Sequence, residues 1–248
     1  MYKIANKLAI ITGGTRGIGL SIADALLRSG GSVVLNGRSE TDEAAALASE
    51  FGPERVMLDF GDVSDPSFVQ GLIDRSVKKF GRLDILVHSA GGPVPGTIVE
   101  LTTDNWMQAF AIHVHPVFHL FKAAHASLAK EGGSVLLISS VAGLRGCPGS
   151  VAYQTVKGAL IPLARALAFD NAKSGIRVNV LAPGIVRTRF HSSMQEATKQ
   201  HNIKNRIPLQ REGSPADVAE AAMALITNEF ITGEVLTIDG GMSMRITG

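Results

Sequence analysis

Tyr153 and Lys157 stand four residues apart in "YQTVK", so on a helix their side chains share one face. A phenol with an ordinary pKa of about 10 exchanges protons near neutral pH only if its anion is favoured, and a neighbouring ammonium favours it. Thirteen residues before the tyrosine, Ser140 closes the run "LLISS". A hydroxyl there can donate to a substrate carbonyl and steady the charge developing on its oxygen. Together the three side chains fit proton transfer at a carbonyl or alcohol oxygen. Each alone also fits a structural part, the Tyr and Lys as a helix-surface pair and the serine as a strand-end turn.

A second cluster lies at the other end of the chain. "TGGTRGIG" follows the first apolar run and leads into a helical pattern, with Gly13, Gly17 and Gly19 separated by Thr15, Arg16 and Ile18. Glycines at such a turn let backbone N–H groups approach a pyrophosphate, and the helix N-terminus adds its partial positive charge. The next strand pattern ends in "LNGRSE", which puts Arg38 where an NAD-preferring protein usually offers a carboxylate to the ribose. Arg38 and Arg16 suit a 2′-phosphate, because a planar guanidinium meets phosphate oxygens in pairs. NADP(H) is therefore favoured, with NAD(H) kept open by the nearby Glu40. Asp62 and Val63, in "GDVSD", are expected to line the adenine pocket, although this segment alone would pass as a helix cap.

The elements that must hold these clusters follow from periodicity. Seven short β-branched runs, at 8–12, 32–36, 55–59, 83–89, 133–140, 176–182 and 234–239, alternate with longer amphipathic segments that often close on glycine. Apolar strands alternating with helices predict one α/β domain over residues 1–248: a doubly wound, seven-stranded parallel sheet with helices on both faces. The stretch from Pro183 to Ser214 lacks strand signals, and about 186–212 of it is a candidate substrate lid.

Composition narrows the classes. The chain has 248 residues, 45% of them hydrophobic, and a net charge of +2 without basic clusters, which argues against a nucleic-acid surface. The single cysteine, Cys147, allows no internal disulfide and points to a reducing compartment, so a cytoplasmic location is expected. No run reaches the length of a membrane span, and no membrane partner is expected.

These motifs, with "HSAG", "NVLAPGIVRT" and "IDGG" in the same order, resemble the short-chain dehydrogenase/reductase family over essentially the whole chain. The resemblance implies a Rossmann-type sheet and hydride exchange between NAD(P)(H) and a small-molecule carbonyl or secondary alcohol. It implies Tyr153 as general acid or base, Lys157 as the group that lowers its pKa and holds the nicotinamide ribose, and Ser140, rather than Ser139, as the residue that orients the carbonyl. It places Ala90 and Gly91 beside the cofactor and wraps Pro183, Gly184, Ile185 and Thr188 around the nicotinamide. The Tyr–Lys spacing implies C=O rather than C=C reduction. Homodimers or homotetramers are also implied, with the helix pair around His119 and His125 at a contact.

Two departures stand out. His88 and Ser89 replace the family's usual pair of asparagines. "AFAIHVHPVFHLF" (109–121) puts His113 where the family has a relay asparagine, with Pro116 just beyond it. Proline cannot donate to the Ile112 carbonyl, so the helix should bend beside His113. His113 is expected to replace the asparagine in the relay and to make activity more sensitive to pH. The rival reading, a metal held by His115 and His119, lacks a nearby carboxylate or cysteine and no metal is expected; packing is preferred for His115, His119 and His125.

The lid and its exit carry Arg187, Arg189, Lys199, Lys204, Arg206 and Arg211, a bias that would suit an anionic substrate or would only solvate a helix face. Two narrower alternatives stay open: reduction of a 3-oxoacyl thioester, or a nucleotide-binding regulator with impaired catalysis.

Overall fold

The structure is a computed structural model that describes residues 3–188 and 194–244. Seven parallel strands form one sheet: β1 (Leu8–Thr12), β2 (Ser32–Gly37), β3 (Val56–Phe60), β4 (Ile85–His88), β5 (Ser134–Ile138), β6 (Arg177–Pro183) and β7 (Val235–Ile238). Their spatial order is β3-β2-β1-β4-β5-β6-β7, so the chain reverses its direction of travel between β1 and β4. In such a sheet a crevice opens beyond the strand ends at that point. The register sets Thr12 beside both Asn36 and His88 there.

Alternation along the strands divides the core in two. Ala9 and Ile11 of β1 face one side, packed with α1 (Gly17–Arg28), α2 (Asp42–Phe51) and α8 (Pro215–Thr227). Leu8 and Ile10 face the other, with α3 (Pro66–Phe80), α5 (His115–Leu128) and α6 (Val151–Asn171). Each fully buried Leu or Ile contributes roughly 1.5–3 kcal/mol. The sheet is thus apolar on both faces, as a parallel sheet under two helical layers must be.

Local signals set the helix ends. Thr41 caps α2, Asp65 caps α3 with Pro66 in its first turn, and Ser214 and Asp217 form a reciprocal capping box on α8. Between β4 and β5, α4 (Thr103–His113) and α5 are separated by Val114 alone. Here Pro116 removes the donor that would reach the Ile112 carbonyl, and the N–H of Val117 turns to the Val114 carbonyl at 3.0 Å. The expected bend is therefore a full break, with His113 as the last residue before it.

Among its described residues the candidate lid contains one helix, α7 (Glu196–Asn205). Its ends are tied together: Gly213 accepts from Arg187 N–H and donates to Ile185, both at 2.9 Å. Arg189 and the rest of 189–193 lie outside the described residues.

Candidate active site

A cavity of roughly 1170 Å³ opens at the switch point between β1 and β4. That is more than one small metabolite needs and suits a dinucleotide with a substrate beside it. Every cofactor residue predicted from the sequence lines it except Gly19, and so do Ser140, Tyr153, Lys157 and His113. Gly19 instead lets the turn close: a Cβ there would stand 2.3 Å from the Gly13 carbonyl oxygen. Of the two carboxylates near the ribose corner, Glu43 lines the cavity and Glu40 does not.

The glycine turn is built for close approach. Gly13 has φ +64°, and a Cβ on it would meet the Ala90 backbone N at 2.7 Å. The first turn of α1 carries no side-chain cap, unlike those of α2, α3, α4 and α8, so its N–H groups keep their donors at the cavity. Thr15 is buried, and its side chain fills the space that Gly37 leaves empty. Arg16 and Arg38 are exposed at the cavity rim, and neither makes an ion pair among the described residues. Asp62 has a local task as well, accepting the Ser64 N–H at 2.9 Å. A nicotinamide dinucleotide fits this cradle: an open N-terminus for phosphate, two guanidiniums at the ribose corner, and Thr188 and Gly184 at the far wall.

At the other end, β5 and the N-terminal turns of α6 bring the catalytic candidates together. Tyr153 is half-buried; its desolvation pushes the phenol up from the ordinary value, and a hydrogen bond from Ser140 pulls the other way. Lys157 is buried too; burial lowers it to about 8, and its Nζ donates to the Ile138 carbonyl at 2.8 Å. It lies 5.8 Å from the centroid of the Tyr153 ring. Burial thus outweighs the Ser140 hydrogen bond at the phenol, and the protein groups alone hold Tyr153 protonated. Ser139 is turned away from the cavity chemistry, donating to the Lys157 carbonyl at 2.7 Å.

His113 sits opposite. Its imidazole packs where Gly91 has no side chain, and a Cβ on Gly91 would lie 2.4 Å from His113 Cε1. Nε2 lies 3.1 Å from the Gly92 carbonyl oxygen and 3.4 Å from the Gly92 backbone nitrogen, while Nδ1 is buried with no partner among the described residues. Burial, the Lys157 charge and His88 lower His113 to about 3. The expectation that His113 would titrate in the working range is thus corrected: it is a neutral imidazole there, and Lys157 is the group poised near neutrality.

The remaining histidines are dispersed. His115 is exposed, His119 stands edge-on to Phe118, and His125 bonds Asn171 at 2.9 Å. Among the described residues no three His, Cys, Asp or Glu converge. The basic bias of the lid is compensated in part: Arg187 pairs with Glu212, Lys199 with Glu196 and Arg211 with Asp217. The partners at 212 and 217 lie just beyond the run of cations, so the local count overstated its charge. Arg206 still lines the cavity, with Arg145, which no spacing argument singled out. Gln154 was also missed. Its amide brackets the Cys147 backbone, accepting from N–H at 2.8 Å and donating to the carbonyl at 2.5 Å, and so fixes the loop before α6. No helix among the described residues is long and apolar enough to cross a membrane.

A family model described as "Enoyl-(Acyl carrier protein) reductase" matches residues 13–243. The chain is 35% identical to dehydrogenase/reductase SDR family member 4 of Caenorhabditis elegans, over 98% of this chain and 98% of that protein. It is 34% identical to glucose 1-dehydrogenase 2 of Bacillus subtilis, again over 98% of both. It is 33% identical to the 3-oxoacyl-[acyl-carrier-protein] reductase of Homo sapiens, over 96% of this chain and 99% of that one.

Proposed function

The chain belongs to the short-chain dehydrogenase/reductase family, oxidoreductases that use nicotinamide cofactors, and on that premise we propose that it interconverts a carbonyl and a secondary alcohol with NADP(H). The observation that carries this reading is the meeting of Ser140, Tyr153 and Lys157 in the cavity whose other end is the uncapped glycine turn.

A nicotinamide held between the glycine turn and the Pro183–Thr188 wall would supply or accept the hydride. Ser140 donates to the carbonyl oxygen and holds it against Tyr153. In reduction Tyr153 gives its hydroxyl proton to that oxygen as negative charge builds there. Lys157, as an ammonium, stabilises the resulting phenolate, and the proton is replaced through Lys157 and the His113 end of the cavity. Neutral His113 serves this path as a fixed donor and acceptor.

NADP(H) over NAD(H) rests on the two guanidiniums at the ribose corner, neither of them in an ion pair among the described residues, set against the Glu43 carboxylate. Reduction of C=O, rather than the C=C bond that the family model's description names, rests on the four-residue spacing of Tyr153 and Lys157. A 3-oxoacyl thioester is the narrower substrate candidate, because the 3-oxoacyl-[acyl-carrier-protein] reductase relative carries that name. Exposed Met107, Phe118 and Phe169 on α4, α5 and α6 support assembly into a homodimer or homotetramer.

The test is a panel of ketones, 3-oxoacyl thioesters, sugars and alcohols assayed with NADPH, NADH and their oxidised forms. Turnover of a carbonyl or alcohol, faster with the phosphorylated cofactor, is the expected result. Tight cofactor binding with no turnover across the panel would instead support a nucleotide-binding regulator.

A further inference from the structure

His88 ends β4, is fully buried, and has no part in the proton path just described. Its Nδ1 lies 2.9 Å from Thr12 Oγ1, and that oxygen also receives the Ala90 N–H at 3.4 Å. The backbone carbonyls on the far side of the ring can only accept, so the His88 proton is assigned to Nε2 and Thr12 donates its hydroxyl proton to Nδ1. Nε2 is buried and completes no hydrogen bond among the described residues. The acceptors it faces are the backbone carbonyls of Ile112 and His113, at the break between α4 and α5. Ile112 is the residue whose helical donor Pro116 removes.

These contacts form a loop whose last step, from His88 Nε2 to the two carbonyls, is an approach and not a completed hydrogen bond. From His88 the loop runs through Thr12 to Ala90, along the chain to Gly91 and Gly92, across the Gly92 carbonyl to His113, and back through the freed carbonyls to His88. One imidazole stands at each end, so the exit of β4, which forms the cavity floor, is locked to the helix end that presents His113 to Tyr153. A leucine of similar size at position 88 would fill the space and leave both ends unheld.

We propose that His88 is a positioning residue: bonded to Thr12 through Nδ1 and turned by Nε2–H toward the carbonyls freed before Pro116, it fixes the break between α4 and α5 and thereby His113 against Tyr153. This rests on the proposed reductase reading for its kinetic consequence, and its structural part is read without turnover.

The experiment compares wild type, His88→Leu and His88→Gln, each folded and oligomerised as the full chain. With 15N-labelled histidine, wild-type His88 should show a neutral ring protonated at Nε2. His88→Leu should move the His113 ring resonances, and His88→Gln, which keeps a donor and an acceptor, should return them toward wild type. On the substrate found by the panel, His88→Leu should lower kcat by about tenfold or more with cofactor affinity unchanged, and His88→Gln should recover most of the loss. A His88 ring protonated at Nδ1 overturns the proposal whether or not the leucine variant folds. So does a His113 spectrum, or a kcat per folded molecule, that His88→Leu leaves as it was. If no substrate turns over, the reductase reading fails while the resonances still decide the role of His88.

Discussion

The imidazole of His113 stands edge-on to the phenol of Tyr153, with ring centroids 5.8 Å apart and planes at 85°. A helix that breaks one residue later holds one ring, and the first turns of α6 hold the other. Burial keeps both uncharged, so the charged member of the site is Lys157, and the pH behaviour should be read from it.

Lys157 is lowered to about 8, so its ammonium persists below that pH and is lost above it. With cofactor saturating, kcat for carbonyl reduction should fall as pH rises through about 8. His113→Asn should leave that limb in place, because the imidazole it removes does not titrate there. A limb that moves with the asparagine variant would show that His113 carries the proton itself.

The chemistry of position 113 should matter more than its charge. His113→Asn keeps a polar side chain and should retain activity, whereas His113→Leu should lower kcat by roughly tenfold to a hundredfold. Equal activity in both variants would remove the side chain from the proton path.

Folding stability should carry the signature of two neutral buried histidines. His88 and His113 are both lowered to about 3 from an ordinary 6.5, so the unfolded chain binds more protons between these values. Their contribution is present above pH 6.5 and is lost as pH falls through the window. Each group accounts for up to about 1.4 kcal/mol per pH unit. Urea midpoints at pH 7 and pH 5 should therefore differ less in His113→Asn than in wild type. An equal loss in both would place the acid sensitivity elsewhere.

Cofactor choice should reside in the arginines. Arg38→Ala should raise KM for NADPH by about tenfold or more, the worth of one or two charge-assisted bonds, and leave KM for NADH nearly unchanged. A parallel rise for both cofactors would mean that Arg38 supports the turn and does not read the 2′-phosphate.

Gly91 has φ +156°, and a Cβ there would lie within 2.6 Å of two His113 ring atoms. Gly91→Ala should displace the imidazole and reduce kcat while the rest of the fold survives. Unchanged kinetics would show that the ring's present place is not needed.

Much of this was legible in the sequence because strand and helix periods, Gly13 and the Tyr153–Lys157 spacing are local signals. All seven strands lie within a residue or two of their expected runs. Pro116 alone pointed to a distortion beside His113, though to a bend and not to the break found at Val114. What escaped depends on the third dimension. The pairing of Arg187 with Glu212, the grip of Gln154 on Cys147 and the circuit through Thr12 and His88 each join residues whose sequence separation carries no pattern. The neutral state of His113 is hidden from the sequence for a related reason, since burial is set by the whole fold and spacing reports only neighbours.

The central claim is that Tyr153 transfers the proton while the glycine turn holds the cofactor, and Tyr153→Phe tests it most directly. On the best substrate from the panel, single-turnover oxidation of bound NADPH should slow by about a hundredfold or more, with NADPH affinity kept. Oxidation at the wild-type rate by the phenylalanine variant would contradict the account.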